Sequence, residues 1–285
     1  MAHAAFVSLF RHIVQNVAAL LAVMLMTGGA HAAEASAWDK GLRSAVRLIA
    51  AGAATVGREP SLRAGIEVRL DPGWKTYWRY PGDSGVPPRF DFTRSDNVKA
   101  IEVQWPAPHR FTDEGGQSIG YKDHVILPVR IVPRDVNKSV TLRLHLDYAI
   151  CEKLCVPAEA KAELTVSGDR TAHEAALAAA EARVPRRAAV GAPAAPTITA
   201  VRQEATGRVV VDVTSAGASV DLFAEGPTPE WALPLPEPVA GAPPGTWRFS
   251  FALDGLPAGA TAAGAELTLT AVTADAAVEV PYRLP

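Results

Sequence analysis

The sequence predicts an all-β protein made of two sandwich-like domains with a short helix between them. Runs in which apolar and polar residues alternate, a pattern typical of half-buried strands, recur on both sides of an alanine-rich segment. Turns containing Pro and Gly separate these runs, as they do in antiparallel sandwiches. The chain has 285 residues, and the roughly 250 that follow a predicted export signal are enough for two ordinary domains.

The first element is a predicted signal peptide over residues 1–33. Arg11 gives a weak positive charge, residues 13–26 are apolar apart from two amide side chains, and Ala30-His31-Ala32 has the small-x-small pattern of a cleavage site. The apolar stretch is shorter than the roughly 20 residues that span a bilayer. We therefore expect an exported protein that does not itself span the membrane.

Charge and composition exclude one class of partner. The chain has 28 Lys and Arg against 30 Asp and Glu, and residues 1–33 hold one Arg and no acidic residue, so the mature charge is −3. A mildly acidic chain without a basic block gives no reason to expect a nucleic acid as partner. We also expect no cofactor and no resident metal.

The first domain is predicted over residues 36–170. Its clearest strand covers residues 140–150, where every second residue is a large apolar one. Residues 125–131 alternate in the same way, and Pro128 within them suggests an edge strand or a bulge. A third run, residues 66–70, ends at an Asp-Pro-Gly turn.

A helix and a linker are predicted over residues 171–196. Thr171 and Glu174 have the spacing of a capping box, and the alanine-rich run after them has high helix propensity until Pro185. The second, smaller sandwich is predicted over residues 197–285, and it contains no Cys and no His. We expect this second domain to support the first domain or to dock on a partner rather than to carry catalytic residues.

Cys151 and Cys155 lie where the clearest strand ends, and both belong to the mature chain. A structural disulfide is one interpretation, but closing so short a ring contributes only about 2 kcal/mol. A metal site is a second, although two thiolates are too few for structural zinc and no spacing points to a particular histidine. A redox pair is the third, because two close thiols can open and close a disulfide with a partner. Between the two cysteines, Lys153 would lower a thiol pKa and Glu152 would oppose it.

Further motifs occur in a fixed order along the first domain. They read GWKTYW (73–78), PGDSG (81–85), WPAPHRF (105–111), GYKD (120–123), VILPV (125–129), and Asp-Tyr (147–148) before the cysteines and a following Val-Pro.

Together these motifs resemble the N-terminal periplasmic domain of DsbD-type thiol:disulfide interchange proteins, especially the larger ScsB-like form. The resemblance covers about residues 62–166 and extends less fully to DLFAEGP (221–227). It implies an immunoglobulin-like fold, a periplasmic location and a redox pair at Cys151 and Cys155. It also implies a cap loop over the thiols at residues 112–120.

The cap loop brings further candidate residues. Asp113 and Glu114 are its acids, and Tyr121 after the loop and Lys153 between the cysteines are further candidates for tuning the thiol pKa. This chain departs from the family in its shorter cysteine spacing and in the Gly-Gly pair where a cap aromatic is usual. The family's membrane and thioredoxin-like domains are not in the sequence, so electrons are expected from a separate membrane protein.

The function expected from these features is a periplasmic dithiol relay. A DsbD-type membrane donor would reduce the cysteine pair, and the pair would reduce oxidised periplasmic thiol proteins, such as a disulfide isomerase, an apocytochrome in cytochrome c biogenesis or a metal-handling protein. Two alternatives are a non-catalytic adaptor with a fixed disulfide and a copper-handling protein.

Overall fold

Nearly all regular structure in the described chain is strand. The computed structural model describes residues 33–285 except 57–58, 83–84, 114–115, 169–171 and 218. Residues 1–32 of the predicted signal peptide, Glu114 and the predicted capping residue Thr171 lie outside the described residues, as do the side chains of residues 55, 56 and 113. The strands form four sheets, which confirms the all-β prediction.

The first sandwich consists of two sheets that contain strands β1 to β11. One sheet has the order β1-β2-β3-β9-β6, and the other has the order β11-β10-β4-β8-β7 with β5 also paired to β10. The strands are β1 (Asp39–Lys40), β2 (Ser44–Val56), β3 (Glu59–Leu70), β4 (Lys75–Gly82), β5 (Arg89–Asp91), β6 (Val98–Val103), β7 (His109–Asp113), β8 (Gly116–Lys122), β9 (His124–Pro133), β10 (Val140–Cys151) and β11 (Cys155–Val166).

The period-2 pattern decides which face of β10 is buried. Its even-numbered residues, from Val140 to Ile150, are buried and pack in the core between the two sheets, together with residues of β2, β3 and β9. Successive side chains of a strand point to opposite faces, so the odd-numbered residues, including Cys151, lie on the outer face. The thiol site is therefore built outside the main core.

Pro128 does not mark an edge strand, so that interpretation is wrong. Strand β9 lies between β3 and β6, and Pro128 is paired with Gly65 of β3. Its carbonyl accepts a hydrogen bond from the Gln104 amide at 2.7 Å, just beyond the end of β6 at Val103. The missing N–H of the proline thus faces the side where the ladder with β6 has ended, and an interior position is tolerated.

The predicted helix is shorter than expected. Helix α1 spans Glu174–Ala182, and no side chain caps its first turn. Glu174 instead accepts a hydrogen bond from the Gly52 amide, and together with Glu181 it pairs with the guanidinium of Arg63 on β3. Leu177 is fully buried. The helix thus packs on the outside of the β1-to-β6 sheet. None of the helices in the described part of the chain is long and apolar enough to cross a bilayer.

The second sandwich contains β12 to β19. Its sheets have the orders β12-β19-β18-β15 and β13-β14-β17-β16. The strands are β12 (Arg186–Arg187), β13 (Thr197–Gln203), β14 (Arg208–Thr214), β15 (Asp221–Glu225), β16 (Glu237–Pro238), β17 (Thr246–Ala252), β18 (Glu266–Val272) and β19 (Ala277–Arg283).

The second sandwich has an apolar core of its own and also contributes to the core of the first. Residues 34–285 form one compact unit, and four buried residues of the second sandwich belong to the core of the first. These residues are Phe223, Leu235, Val272 and Ala277. The rings of Trp78 and Phe223, both fully buried, lie 5.7 Å apart between centroids. Because an apolar contact of this kind resists opening, the second sandwich is fixed against the strand β4 that borders the thiols.

Candidate functional site

The two cysteines face each other across a tight hairpin. Strands β10 and β11 pair in an unbroken antiparallel register that ends with Cys151 opposite Cys155, and three residues form the loop between them. Cα atoms of directly opposed residues in such a pair lie about 4.5–5.5 Å apart. A disulfide needs Cα atoms about 4.4–6.8 Å apart, so this pair can be bridged without moving the backbone. Both cysteines are free thiols in the structure.

The two thiols differ in access to solvent. Cys151 is 6% exposed and packs in a small cluster with Tyr77 and Ala149, whereas Cys155 is exposed. Burial raises the pKa of the Cys151 thiol, and the hydrogen bond with Cys155 raises it further. An incoming protein can therefore reach the Cys155 sulfur directly, while the Cys151 sulfur lies beneath it.

Tyr77 is the side chain that contacts the thiols. Its hydroxyl oxygen lies 2.9 Å from the Sγ atom of Cys155. Burial raises the pKa of Tyr77, and the two neighbouring thiols raise it further, so the phenol keeps its proton. A protonated phenol donates a hydrogen bond to a thiolate, and its hydrogen bond lowers the pKa of Cys151 against the larger effect of burial. The phenol is thus placed to stabilise the reactive form of the pair.

Lys75 supplies a positive charge beside the pair. It is opposite Cys151 in the register of β4 with β10, and its charge also acts to lower the pKa of Cys151. The Lys75 Nζ atom lies 5.5 Å from the ring centroid of Phe111, on β7. The β7–β8 hairpin therefore reaches the surroundings of the thiols through Phe111.

The sequence-predicted tuning residues lie in different places. The Tyr121 hydroxyl donates to the Pro106 carbonyl at 2.8 Å, and its ring belongs to the main core, on the face opposite the thiols. Lys153 is exposed in the hairpin loop. The backbone of Asp113 ends β7, but its side chain and all of Glu114 lie outside the described residues. The structure thus brings Cys151 and Cys155 together and does not bring Tyr121 to them.

Tyr77 and Lys75 are not among the site residues predicted from the sequence, although the strand pattern around them indicates which face they occupy. In the GWKTYW motif the residues at even positions include Trp78, which is fully buried in the core. Tyr77 and Lys75 have the opposite parity, so they point to the outer face that also carries Cys151. The sequence does not indicate that β4 lies next to β10 in the sheet.

Within the described residues, neither cysteine belongs to a group of three or more side chains that could hold a metal ion. The group of potential metal ligands in the described residues is His145, Asp147 and Glu159, on the outer face of the same hairpin. Glu159 already pairs with the Lys161 ammonium at 2.7 Å. The alternative in which histidines complete a metal site around the thiols has no support in this geometry.

A family model matches the part of the chain that carries these residues. Residues 45–167 match the family model described as "Thiol:disulfide interchange protein DsbD, N-terminal". The matched segment contains both cysteines, Tyr77 and Lys75, and it confirms the resemblance predicted from the motifs. A search of curated proteins gave no match.

Solved structures extend the likeness to both sandwiches. The crystal structure of the N-terminal periplasmic domain of ScsB from Proteus mirabilis is similar with a TM-score of 0.67 at 21% identity, and the alignment covers 88% of this chain and 98% of that one. This likeness confirms the predicted immunoglobulin-like fold. A marsupial T cell receptor aligns over 87% of this chain and 99% of its own at 9% identity, and its TM-score of 0.22 supports no argument.

Proposed function

Starting from the match of residues 45–167 to the N-terminal family of DsbD, we propose that this chain is a periplasmic dithiol relay. Cys151 and Cys155 exchange electrons with the disulfides of other periplasmic proteins. The observation that carries the proposal is the cross-strand pair itself, in which one sulfur is exposed and the other is buried directly beside it. We assign the activity to the domain proposed over residues 36–170.

The difference in exposure supports an order of attack for the two thiols. The Cys155 thiolate attacks one sulfur of a client disulfide, so that a bond between Cys155 and the client forms while the client's S–S bond breaks. The first client thiolate leaves and takes a proton. Cys151 then loses its proton and attacks the Cys155 sulfur, which forms the Cys151–Cys155 disulfide and releases the second client thiol. Two electrons and two protons pass to the client.

A dithiol donor must then reduce the Cys151–Cys155 disulfide by the reverse sequence. We propose a membrane protein of the DsbD type as this donor, and periplasmic thiol proteins such as a disulfide isomerase or an apocytochrome as clients. The open Cys155 side supports this assignment, because both donor and client must bring a sulfur to the same exposed atom.

A trapping experiment tests the order of attack. Cys151→Ser and Cys155→Ser proteins are mixed with an oxidised periplasmic disulfide isomerase, and mixed disulfides are resolved on a non-reducing gel. Cys151→Ser should accumulate the mixed disulfide because the resolving thiol is gone, and Cys155→Ser should form little. Reduction of the isomerase by either variant at the wild-type rate would contradict the relay.

A measured reduction potential separates the relay from a fixed structural disulfide. The wild-type protein is equilibrated with thiol buffers of graded potential, and the fraction of oxidised pair is determined by thiol labelling. We expect a value above about −300 mV, since structural disulfides lie below it. A value well below that limit would leave only the adaptor function.

A further inference from the structure

Four consecutive residues of β4 connect the thiol pair to the second sandwich. The first of them, Tyr77, contacts Cys155. Each of the next three contacts the second sandwich: Trp78 packs on Phe223, Arg79 pairs with Glu225 and Glu279, and the Tyr80 hydroxyl donates to the Leu233 carbonyl.

The register of β4 with its neighbours in the sheet is irregular within this segment. The ladder between β4 and β8 runs through Tyr77 opposite Gly120 and resumes only at Gly82 opposite Ser118. The register therefore shifts between Tyr77 and Gly82, and the pairs of β4 with β10 end at Thr76. Contacts with the second sandwich begin directly after Tyr77, where the regular register of β4 ends.

Arg79 makes the charged attachment among these three. Its guanidinium nitrogens lie 2.7 and 2.9 Å from the two carboxylate oxygens of Glu225 and 2.5 Å from an oxygen of Glu279. Burial works to lower the pKa of Arg79, but the two carboxylates outweigh it and raise the pKa. A two-point pair of this kind fixes the position of the guanidinium as well as its charge. The backbone at residue 79 is thereby fixed relative to β15 and β19.

We propose that the second sandwich sets the reactivity of the thiol pair through this segment, with Arg79 as the positioning residue that keeps the Tyr77 hydroxyl on the Cys155 sulfur. The proposal rests on the proposed function, because it assigns the second sandwich a role at the same thiols. The sandwich contains no cysteine or histidine of its own. Its part is to supply Glu225 and Glu279 as a fixed anchor two residues from the phenol.

The structure offers a matched control on a different strand. Arg110 of β7 pairs with Asp221 of β15 at 2.7 Å, so it joins the same two sandwiches from β7 rather than from β4. Loss of this pair weakens the contact between the sandwiches but leaves the segment after Tyr77 attached. An effect that depends on Arg79 and not on Asp221 therefore separates positioning of the phenol from general loosening of the interface.

The test uses the full chain in a Cys151→Ser background, where Cys155 is the single thiol of the mature protein. The rate of alkylation by iodoacetamide is measured across pH for Arg79→Gln, Glu225→Gln, Asp221→Asn and Tyr77→Phe, and thermal melting checks that each variant is folded. We expect Arg79→Gln and Tyr77→Phe each to slow alkylation at neutral pH about three- to fivefold, because the thiolate loses its donor. Asp221→Asn should keep the starting rate.

The double variant Arg79→Gln/Tyr77→Phe decides the mechanism. If Arg79 acts through the phenol, the double variant is no slower than Tyr77→Phe alone. Additive slowing, or an Arg79→Gln rate equal to that of Asp221→Asn, overturns the proposal. Should Arg79→Gln not fold, Glu225→Gln removes the two-point pair while Glu279 still neutralises the guanidinium, and it should slow alkylation in the same direction by a smaller factor. Client reduction is not used here, so the relay and this coupling can fail separately.

Discussion

The hydroxyl of Tyr77 lies 2.9 Å from the Sγ atom of Cys155, on the outer face of the sheet and away from the main core. The contact links Cys155, which an incoming protein can reach, to the Tyr77 phenol, whose raised pKa keeps it protonated. A phenol so placed stabilises a thiolate more than a thiol. The relationship makes the chemistry of the pair testable by single substitutions.

The reduction potential should depend on this phenol. In Tyr77→Phe the reduced pair loses a hydrogen bond worth about 0.5–1.5 kcal/mol, which corresponds to a potential about 10–30 mV more negative. Equilibration with glutathione buffers measures it. Tyr121→Phe is the matched control, because that hydroxyl bonds to the Pro106 carbonyl on the other face. Equal shifts in the two variants would show that the contact with Cys155 is not the cause.

The two thiols should react at very different rates in the reduced protein. Cys155 is exposed, whereas Cys151 is buried and its pKa is raised by that burial. A chromogenic disulfide reagent should therefore label Cys151→Ser at least about tenfold faster than Cys155→Ser. In denaturant the two variants should react alike, which controls for reagent and concentration. Similar rates in the folded state would contradict the proposed order of attack.

Acid stability should depend on Glu67, which is almost completely buried on β3. Burial works to raise the pKa of Glu67, but hydrogen bonds from Arg47 and His124 outweigh it and lower the pKa. A carboxyl with a lowered pKa stabilises the fold above its unfolded pKa, and this stability is lost as pH falls through the folded pKa. Glu67→Gln should cost about 1–3 kcal/mol at neutral pH and flatten the loss of stability below about pH 4.

Urea unfolding at several pH values measures this dependence. Glu102 provides the control, because its carboxylate is well exposed and lies 3.7 Å from Arg130. Glu102→Gln should leave both the stability and its pH dependence nearly unchanged. An acid profile of Glu67→Gln that matches the wild type would show that Glu67 titrates alike in the folded and unfolded chain.

Close packing of β8 on β4 should make Gly120 hard to replace. A Cβ atom at this position would lie 1.9 Å from the Thr76 carbonyl oxygen, which belongs to the backbone and cannot move aside. Gly120→Ala should therefore lower the free energy of unfolding by about 2–3 kcal/mol, measured by urea denaturation. Gly41→Ala, where the nearest atom is 3.4 Å away, should change it by less than about 0.5 kcal/mol. Equal costs would show that β8 can shift.

Local pattern was enough for the strands that alternate most clearly. The alternation at residues 140–150 predicts both β10 and its buried face, and the runs at residues 125–131 and 66–70 fall within β9 and β3. The edge strand predicted from Pro128 is wrong because the cost of a missing N–H depends on where the neighbouring strand ends. Strand β6 ends at Val103, so its ladder with β9 stops just before Pro128. Helix α1 begins at Glu174, whose carboxylate bonds to Gly52 and Arg63, two residues that are distant in the sequence.

The sequence by itself determined that this is an all-β chain with two close thiols at a strand end, because alternation and spacing are properties of neighbouring residues. Only the tertiary structure decided that Tyr77 rather than Tyr121 contacts the thiols, and that Glu225 and Glu279 hold Arg79 two residues away. Which strands become neighbours depends on how whole faces pack, and residues more than a hundred positions apart meet only when those faces close on a shared core.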